Sequence, residues 1–264
     1  TSDDIEKAWQ AIGGMPLILE GFISFQREAS IIAVRSRAGE IRFYPLSENI
    51  HRNGILHLSR CRNGDAMQAK AEGVKTINAI KAKNMQPDGR TKGLPNSENN
   101  RTSDYMISHF KAFKRATGDA FWDTAVDKAF GLLNTIQANY APNTGLIPDF
   151  IINTGSNPAP SNGYIGDGNA YEGFYYWNAC RLPWRLASDY VTSGDARSKA
   201  VLTKLMNFFE SASGGQPGQI KSGYKLDGTV IGDYANASFI GPATAGAMVD
   251  AKFQPFLDKL WTYS

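Results

Sequence analysis

Two cysteines in 264 residues, Cys61 and Cys180, set the first boundary. Their flanks, Ser-Arg-Cys-Arg-Asn-Gly and Asn-Ala-Cys-Arg-Leu-Pro, fit neither the spacing of a zinc ligand set nor a Cys-x-x-Cys redox pair. A disulfide framework is excluded, and the fold must rest on its core, for which 42% hydrophobic residues suffice. No uninterrupted apolar run approaches the ~18–20 residues of a membrane span, and the opening Thr-Ser-Asp-Asp-Ile-Glu-Lys lacks the basic start and apolar middle of a signal peptide. The expectation is a soluble chain with no membrane partner. Histidine is scarce: His51, His57 and His109 are scattered, and His109 is expected to pack beside Phe110 and Phe113. Neither a metal site nor a bound cofactor is expected, and Gly-x-Ser-x-Gly, P-loop and dinucleotide fingerprints are absent.

Charge of one sign is lacking too. The 28 Lys+Arg against 25 Asp+Glu give a formal charge of +3, with the basic excess confined to the first third of the sequence. Arg27, Arg35, Arg37, Arg42, Arg52, Arg60 and Arg62 alternate with strand-like apolar residues, and no basic run exceeds two. This pattern reads as solvated strand faces, and no nucleic-acid partner is expected.

What is present divides near residues 84–100. Before it stand short β-rich runs, Pro16–Glu20, Ala29–Arg35, Ile41–Pro45 and Ile55–Ser59. The Gly-containing link Ser36–Glu40 predicts an antiparallel hairpin between the second and third. Asp65 to Lys83 reads as a helix. Residues 84–100 are polar and rich in turn residues, which predicts a linker. After it the pattern is helical. Ser103-Asp104 is placed to cap a helix ending at Thr117-Gly118-Asp119, and Ala120–Tyr140 repeats Phe121, Trp122, Ala125, Val126, Ala129, Phe130, Leu133 and Ile136 at helical spacing. A second pair is predicted over Phe174–Val191 and Ala196–Ala212, joined by Thr192-Ser-Gly-Asp195, and a third over Ala237–Asp250 and Phe253–Tyr263. The fold class is therefore mainly α, a partial α/α toroid of helical hairpins with a small β-rich (α+β) N-terminal segment. Its domains are 1–83, a linker 84–100, and 101–264. The long loop 141–170 exceeds what a connection requires, which marks it as functional.

Two resemblances follow. Residues 8–62, with Ala8-Trp-Gln-Ala-Ile-Gly-Gly-Met-Pro-Leu-Ile-Leu-Glu20, Phe43-Tyr-Pro-Leu-Ser-Glu-Asn49 and His51-Arg-Asn-Gly-Ile-Leu56, resemble the middle of ATP-grasp 5-(carboxyamino)imidazole ribonucleotide synthases. The resemblance implies nucleotide contacts at Glu20, a hinge position beside the adenine, and Glu28, near the ribose. The family's upstream phosphate-binding lysines and downstream metal-binding carboxylates have no counterpart here, which removes the electrostatic clamp that phosphoryl transfer needs.

Residues 101–264 resemble the C-terminal half of glycoside hydrolase family 8. The motifs are Arg101-Thr-Ser-Asp-Tyr-Met106, His109-Phe-Lys-Ala-Phe113, Thr144-Gly-Leu-Ile-Pro-Asp-Phe150, Asn178-Ala-Cys-Arg-Leu-Pro-Trp-Arg185 and Ser193-Gly-Asp195. The resemblance implies inverting, endo-acting hydrolysis of a β-1,4-linked polysaccharide, glucan, xylan or chitosan, on a six-hairpin toroid. If the hydrolase part dictates location, secretion follows. Inversion needs a protonated acid at the leaving oxygen and a second carboxylate to activate water. The family's acid, in a Ser-Glu-Gly segment, has no match in this sequence, so Glu20, Glu28 or a second subunit in a homo-oligomer would have to supply it. In one branch of the family the base is an Asp at the position that Asn178 occupies here, and an amide cannot take a proton from water. In the chitosanase-like branch the base lies about ten residues upstream, which selects Asp167 first and Glu172 second. The alternative for both is a solvated loop acid, with Glu172 favoured by a helix dipole.

Arg181 is implied at the catalytic centre, with Asp149 or Asp189 as its alternative partner. Asn178, Arg181 and Arg185 share one face if the helix is continuous through Pro183. Tyr171, Tyr176, Trp177 and Trp184 are candidate sugar platforms, since pyranose faces stack on aromatic rings, and Asp104 is a candidate substrate contact. Asp227 and Asp233, in a loop resembling the chitosanase-like branch, are further candidates to reach the cleft. A carbohydrate-binding remnant without turnover and a nucleotide-binding remnant are the alternatives to an enzyme.

Overall fold

The computed structural model describes residues 28–30, 33–35, 41–43, 47–52, 55–61, 66–93 and 98–263. They fall into two compact units, Thr1–Ala69 and Lys70–Ser264.

In the first unit, β1 (Glu28–Ser30), β4 (Ser47–Arg52) and β5 (Ile55–Cys61) form an antiparallel sheet in the order β1-β4-β5. The predicted hairpin is present as β2 (Ala33–Arg35) against β3 (Ile41–Phe43), with Val34 opposite Arg42. The run Ala29–Arg35 is divided between β1 and β2, and Ser47–Arg52 is a strand that lacks a continuous apolar signal. Pro16–Glu20, including Glu20, lies outside the described residues; Glu28 is described only as the first residue of β1.

Helix α1 (Ala66–Asn84) leads into the second unit. Residues 84–100, expected to be a linker, are folded onto this unit wherever they are described. Met85 is 4% exposed and bridges Thr91, Asn100 is fully buried, and Arg90 joins Asp88, Glu98 and Thr154 at 2.7, 2.7 and 3.0 Å. Polar residues marked this stretch as a linker because their partners, such as Thr154, lie far along the chain.

Three helical hairpins make the body: α2 (Ile107–Thr117) with α3 (Phe121–Asn139), α4 (Leu182–Ser193) with α5 (Ala196–Ala212), and α6 (Ala237–Ala247) with α7 (Gln254–Tyr263). Gly118 and Gly194 end α2 and α4 at φ +74° and +70°, a left-handed cap that glycine adopts without cost. Asp195 then starts α5 by accepting from Arg197 N at 3.0 Å. The periodic face of α3 is the core face: Trp122, Val126, Phe130, Leu133 and Ile136 are each at most 3% exposed. Each such side chain contributes about 1.5–3 kcal/mol of burial.

Three helix boundaries differ from the sequence reading. Ser103 and Asp104 belong to a 3-10 turn, Thr102–Asp104, and α2 begins only at Ile107 without a side-chain cap. The predicted helix Phe174–Val191 begins at Leu182, after a 3-10 turn at Ala179–Arg181, because Pro183 sits in the first turn, where its missing N–H costs nothing. Helix α6 stops at Ala247, and a 3-10 turn, Ala251–Phe253, links it to α7. Among the described residues, no helix is long and apolar enough to cross a membrane.

Candidate functional site

The site is built on a small antiparallel sheet of β6 (Asn100–Arg101), β7 (Phe150–Ile152) and β8 (Ala159–Pro160). Its register sets Arg101 opposite Phe150, and the Arg101 guanidinium lies 5.4 Å from the centre of the Phe150 ring. The loop 161–173 crosses the same ring. A Cβ at Gly166 would stand 2.2 Å from Phe150 Cε1, so the chain passes here only as glycine.

Glu172 determines the shape of that loop. Its carboxylate is fully buried and accepts from four consecutive backbone N–H groups, those of Ile165, Gly166, Asp167 and Gly168, at 2.6, 3.0, 2.7 and 2.8 Å. Burial pushes this carboxyl up, but the four donors outweigh burial and hold it below its ordinary range. Glu172 is therefore neither a solvated loop acid nor a helix first-turn charge, and both of its oxygens are committed to the loop. The loop in turn presents Asp167, whose side chain is 35% exposed and lies 3.5 Å from Arg101 Nη2.

Asn178 joins the remaining groups. Its Nδ2 donates to Asp167 and, at 3.4 Å, to Asp149, while its Oδ1 accepts from Arg181 Nη1 at 3.2 Å. Arg181 thus reaches the site through Asn178 and pairs with neither alternative partner: Asp189 binds Lys111, and Asp149 is occupied by backbone. Asp149 is 1% exposed and accepts from Tyr176 N and Ala179 N at 3.0 and 2.7 Å. Burial raises its pKa to about 7 against those donors. These bonds, with Asp149 N donating to Phe174 O at 2.8 Å, hold residues 174–178 in a bend and turn where helical spacing predicted a helix. Asn178, Arg181 and Arg185 consequently do not share one continuous helix face.

The aromatic candidates separate. Tyr171 is exposed and its ring centre is 5.1 Å from that of the half-buried Tyr176. Trp177 packs edge-on against Phe239 at 5.1 Å, and Tyr175 is entirely core. Trp184 is 49% exposed on α4 with the Arg185 guanidinium 5.2 Å from its ring. Asp104 is solvent-exposed, yet crowding by the surrounding protein holds its carboxyl above the ordinary range, opposed by Arg101, Arg185 and Arg181 and reinforced by Asp167. His109, expected to pack, is exposed beside Ser108. Asp227 is spent on its own turn, accepting from Thr229 N at 2.8 Å, and Asp233 is exposed. Burial pushes the Cys180 thiol up to about 12, which removes it as a nucleophile. Among the described residues, no cluster of three His, Cys, Asp or Glu side chains is arranged to hold a metal ion.

Sequence reasoning reaches Arg101 only as part of a motif and Asp149 only as an alternative partner of Arg181, and both lie in motifs that carry the family 8 resemblance. Asp149 belongs to Gly-Leu-Ile-Pro-Asp, where an acid follows two apolar residues and a proline.

Comparison with known proteins divides the chain as its composition does. The ATP-grasp domain model matches residues 1–85. Over 69 residues the chain is 51% identical to the N5-carboxyaminoimidazole ribonucleotide synthase of Pseudomonas aeruginosa, covering 26% of this chain and 19% of that protein. Over 162 residues it is 39% identical to a beta-glucanase of Niallia circulans, covering 61% of this chain and 39% of the relative, so the chain spans about two fifths of that protein's length. The structure matches a beta-1,3-1,4-glucanase from Paenibacillus sp. X4 with a TM-score of 0.71 at 32% identity, over 75% of this chain and 54% of that one. The larger part of the chain is therefore similar to the glucanases of glycoside hydrolase family 8 with their α/α toroid, and the smaller, N-terminal part is similar to ATP-grasp carboxyaminoimidazole ribonucleotide synthases.

Proposed function

We propose that the second unit carries the base-side half of an inverting glycoside hydrolase site and acts on a β-1,4-linked glucan or related polysaccharide. The observation that carries the reading is the setting of Asp167: a partly exposed carboxylate on a loop pinned by Glu172, flanked by Asn178 and Arg101. A general base must be oriented and open to water, and this arrangement supplies both. Asn178 and Arg101 orient the carboxylate, and Arg181 fixes Asn178. Asp104 accepts from sugar hydroxyls, while Tyr171, Tyr176 and Trp184 offer faces for pyranose rings; Trp177 supports them from the core side. In inversion, Asp167 takes a proton from the attacking water while a separate acid protonates the leaving oxygen, the two carboxyls standing ~6.5–9.5 Å apart. The family's acid-bearing segment is not in this sequence, so turnover is expected to be weak.

The test is release of reducing ends from lichenan, carboxymethylcellulose, xylan and chitosan by the full chain and by Asp167→Asn, with the anomeric form of the product followed by NMR. Turnover lost in the variant, with inverted product from the parent, supports the reading. Full activity in Asp167→Asn, or retained configuration, refutes it.

A further inference from the structure

The loop that carries Asp167 also carries a tyrosine in a conformation and a setting that folding does not reward. Tyr164 has φ +57°, a left-handed backbone that bulky residues rarely adopt, and it is 72% exposed. Its ring has no aromatic partner and its hydroxyl no hydrogen bond among the described residues.

The backbone there is fixed from both sides. Tyr164 N donates to Asn169 O at 2.8 Å, and Gly163 N donates to Ser161 Oγ at 2.9 Å. A Cβ at Gly163 would stand 3.1 Å from Ala170 Cα, so the two limbs of the loop touch at its neck. Inside the neck Glu172 holds the next four N–H groups. The left-handed turn at position 164 is thus imposed by the loop, and glycine or asparagine would meet it with less strain. A large apolar ring kept at such a position, with its faces in water, gains its return from something that covers it.

We propose that Tyr164 is a stacking platform for a sugar ring of the polysaccharide, a binding position three residues before Asp167 on the same pinned loop. This rests on the reading of the second unit as a carbohydrate-active site and adds to it a residue that sets how substrate lies beside Asp167. The flat C–H face of a β-linked pyranose matches an exposed phenol ring, and a ring on a rigid loop loses little entropy when covered. Because the hydroxyl is unbonded, the ring face and not the hydroxyl does the work.

The experiment uses the full chain in an Asp167→Asn background, so that ligand is not consumed, with cellohexaose as the probe and titration calorimetry as the readout. Tyr164→Ala is expected to weaken binding about tenfold, and Tyr164→Phe to stay within about twofold of the parent. Tyr164→Gly is expected to weaken binding equally while melting no lower than the parent, which separates lost stacking from lost folding. A parent that binds cellohexaose and a Tyr164→Ala variant that binds it as well would overturn the platform and leave the carbohydrate reading standing. A parent that binds neither cellohexaose nor xylohexaose would overturn both.

Discussion

The side-chain amide of Asn178 donates to the carboxylate of Asp167, eleven positions earlier, and the same amide presents its oxygen to Arg181. One residue thereby fixes an anion and a cation with opposite ends of a single polar group. An amide suits this role where a carboxylate would not, since two carboxylates in contact would repel.

Asn178→Ala is accordingly expected to leave Asp167, Asp149 and Arg181 each short of a partner. Stability should fall by about 1–3 kcal/mol, the cost of stranded polar groups, and turnover by about a hundredfold or more. Chemical denaturation and reducing-end assays measure the two effects separately. Turnover within a few-fold of the parent would show that Asn178 does not act on Asp167.

Glu172→Gln provides a contrasting case. The amide keeps one acceptor oxygen but turns an NH2 toward N–H donors, so the loop from 165 to 168 loses its anchor. The expected outcome is a lower melting temperature together with faster hydrogen exchange at those four amides. The pH dependence has a definite sign. With its folded pKa below the ordinary 4.5, Glu172 contributes stability present above that value and lost as pH falls through the folded pKa. The variant should lack this acid-side loss.

Asp149 has the opposite sign. Its pKa is raised from 3.8 to about 7 by burial, so the folded state holds a proton that the unfolded chain has released. The contribution is fully present below about pH 3.8 and is lost as pH rises through about 7. Melting temperature followed from pH 4 to 8 should decline through this term in the parent. The decline should be smaller in Asp149→Asn, which cannot ionise. An identical pH profile in the two proteins would place the proton elsewhere.

The sequence made the helical hairpins legible where the rule was local. Gly118 and Gly194 mark helix ends because only a left-handed cap closes the last turn there, and the face of α3 repeats at the period of its core. The stretch from Phe174 to Asn178 misled for the same reason. Its aromatics fall at helical spacing, but Tyr175 N donates to Tyr224 O, and Tyr176 N and the following Ala179 N donate to Asp149, 27 and 30 positions away. The strands of the site are two or three residues long and carry no alternation to read, so Arg101 and Phe150 could not be paired before the register was known. Asp167 could be selected by resemblance, whereas the distinction between an exposed Asp167 and a buried Glu172 required the loop's hydrogen bonds.

The last prediction concerns what holds the hairpins in place. Lys111 on α2 reaches the fully buried Asp189 of α4 at 2.8 Å and Asp195, the N-cap of α5, at 2.7 Å, with Ser198 Oγ completing Asp189 at 2.8 Å. Three helices therefore meet at one ammonium. Such a pair gains little over a well-packed apolar alternative, but removing one member leaves an uncompensated charge. Lys111→Met should cost about 3–5 kcal/mol, because it leaves the fully buried Asp189 without its counterion. Adding Asp189→Asn should recover part of that loss, since the amide needs no counterion and still accepts from Ser198. Denaturant midpoints of the parent, the two single variants and the double variant give the coupling directly. If Lys111→Met costs less than about 1 kcal/mol, the cost of a surface ion pair, the junction is ordinary packing and the charges are incidental to it.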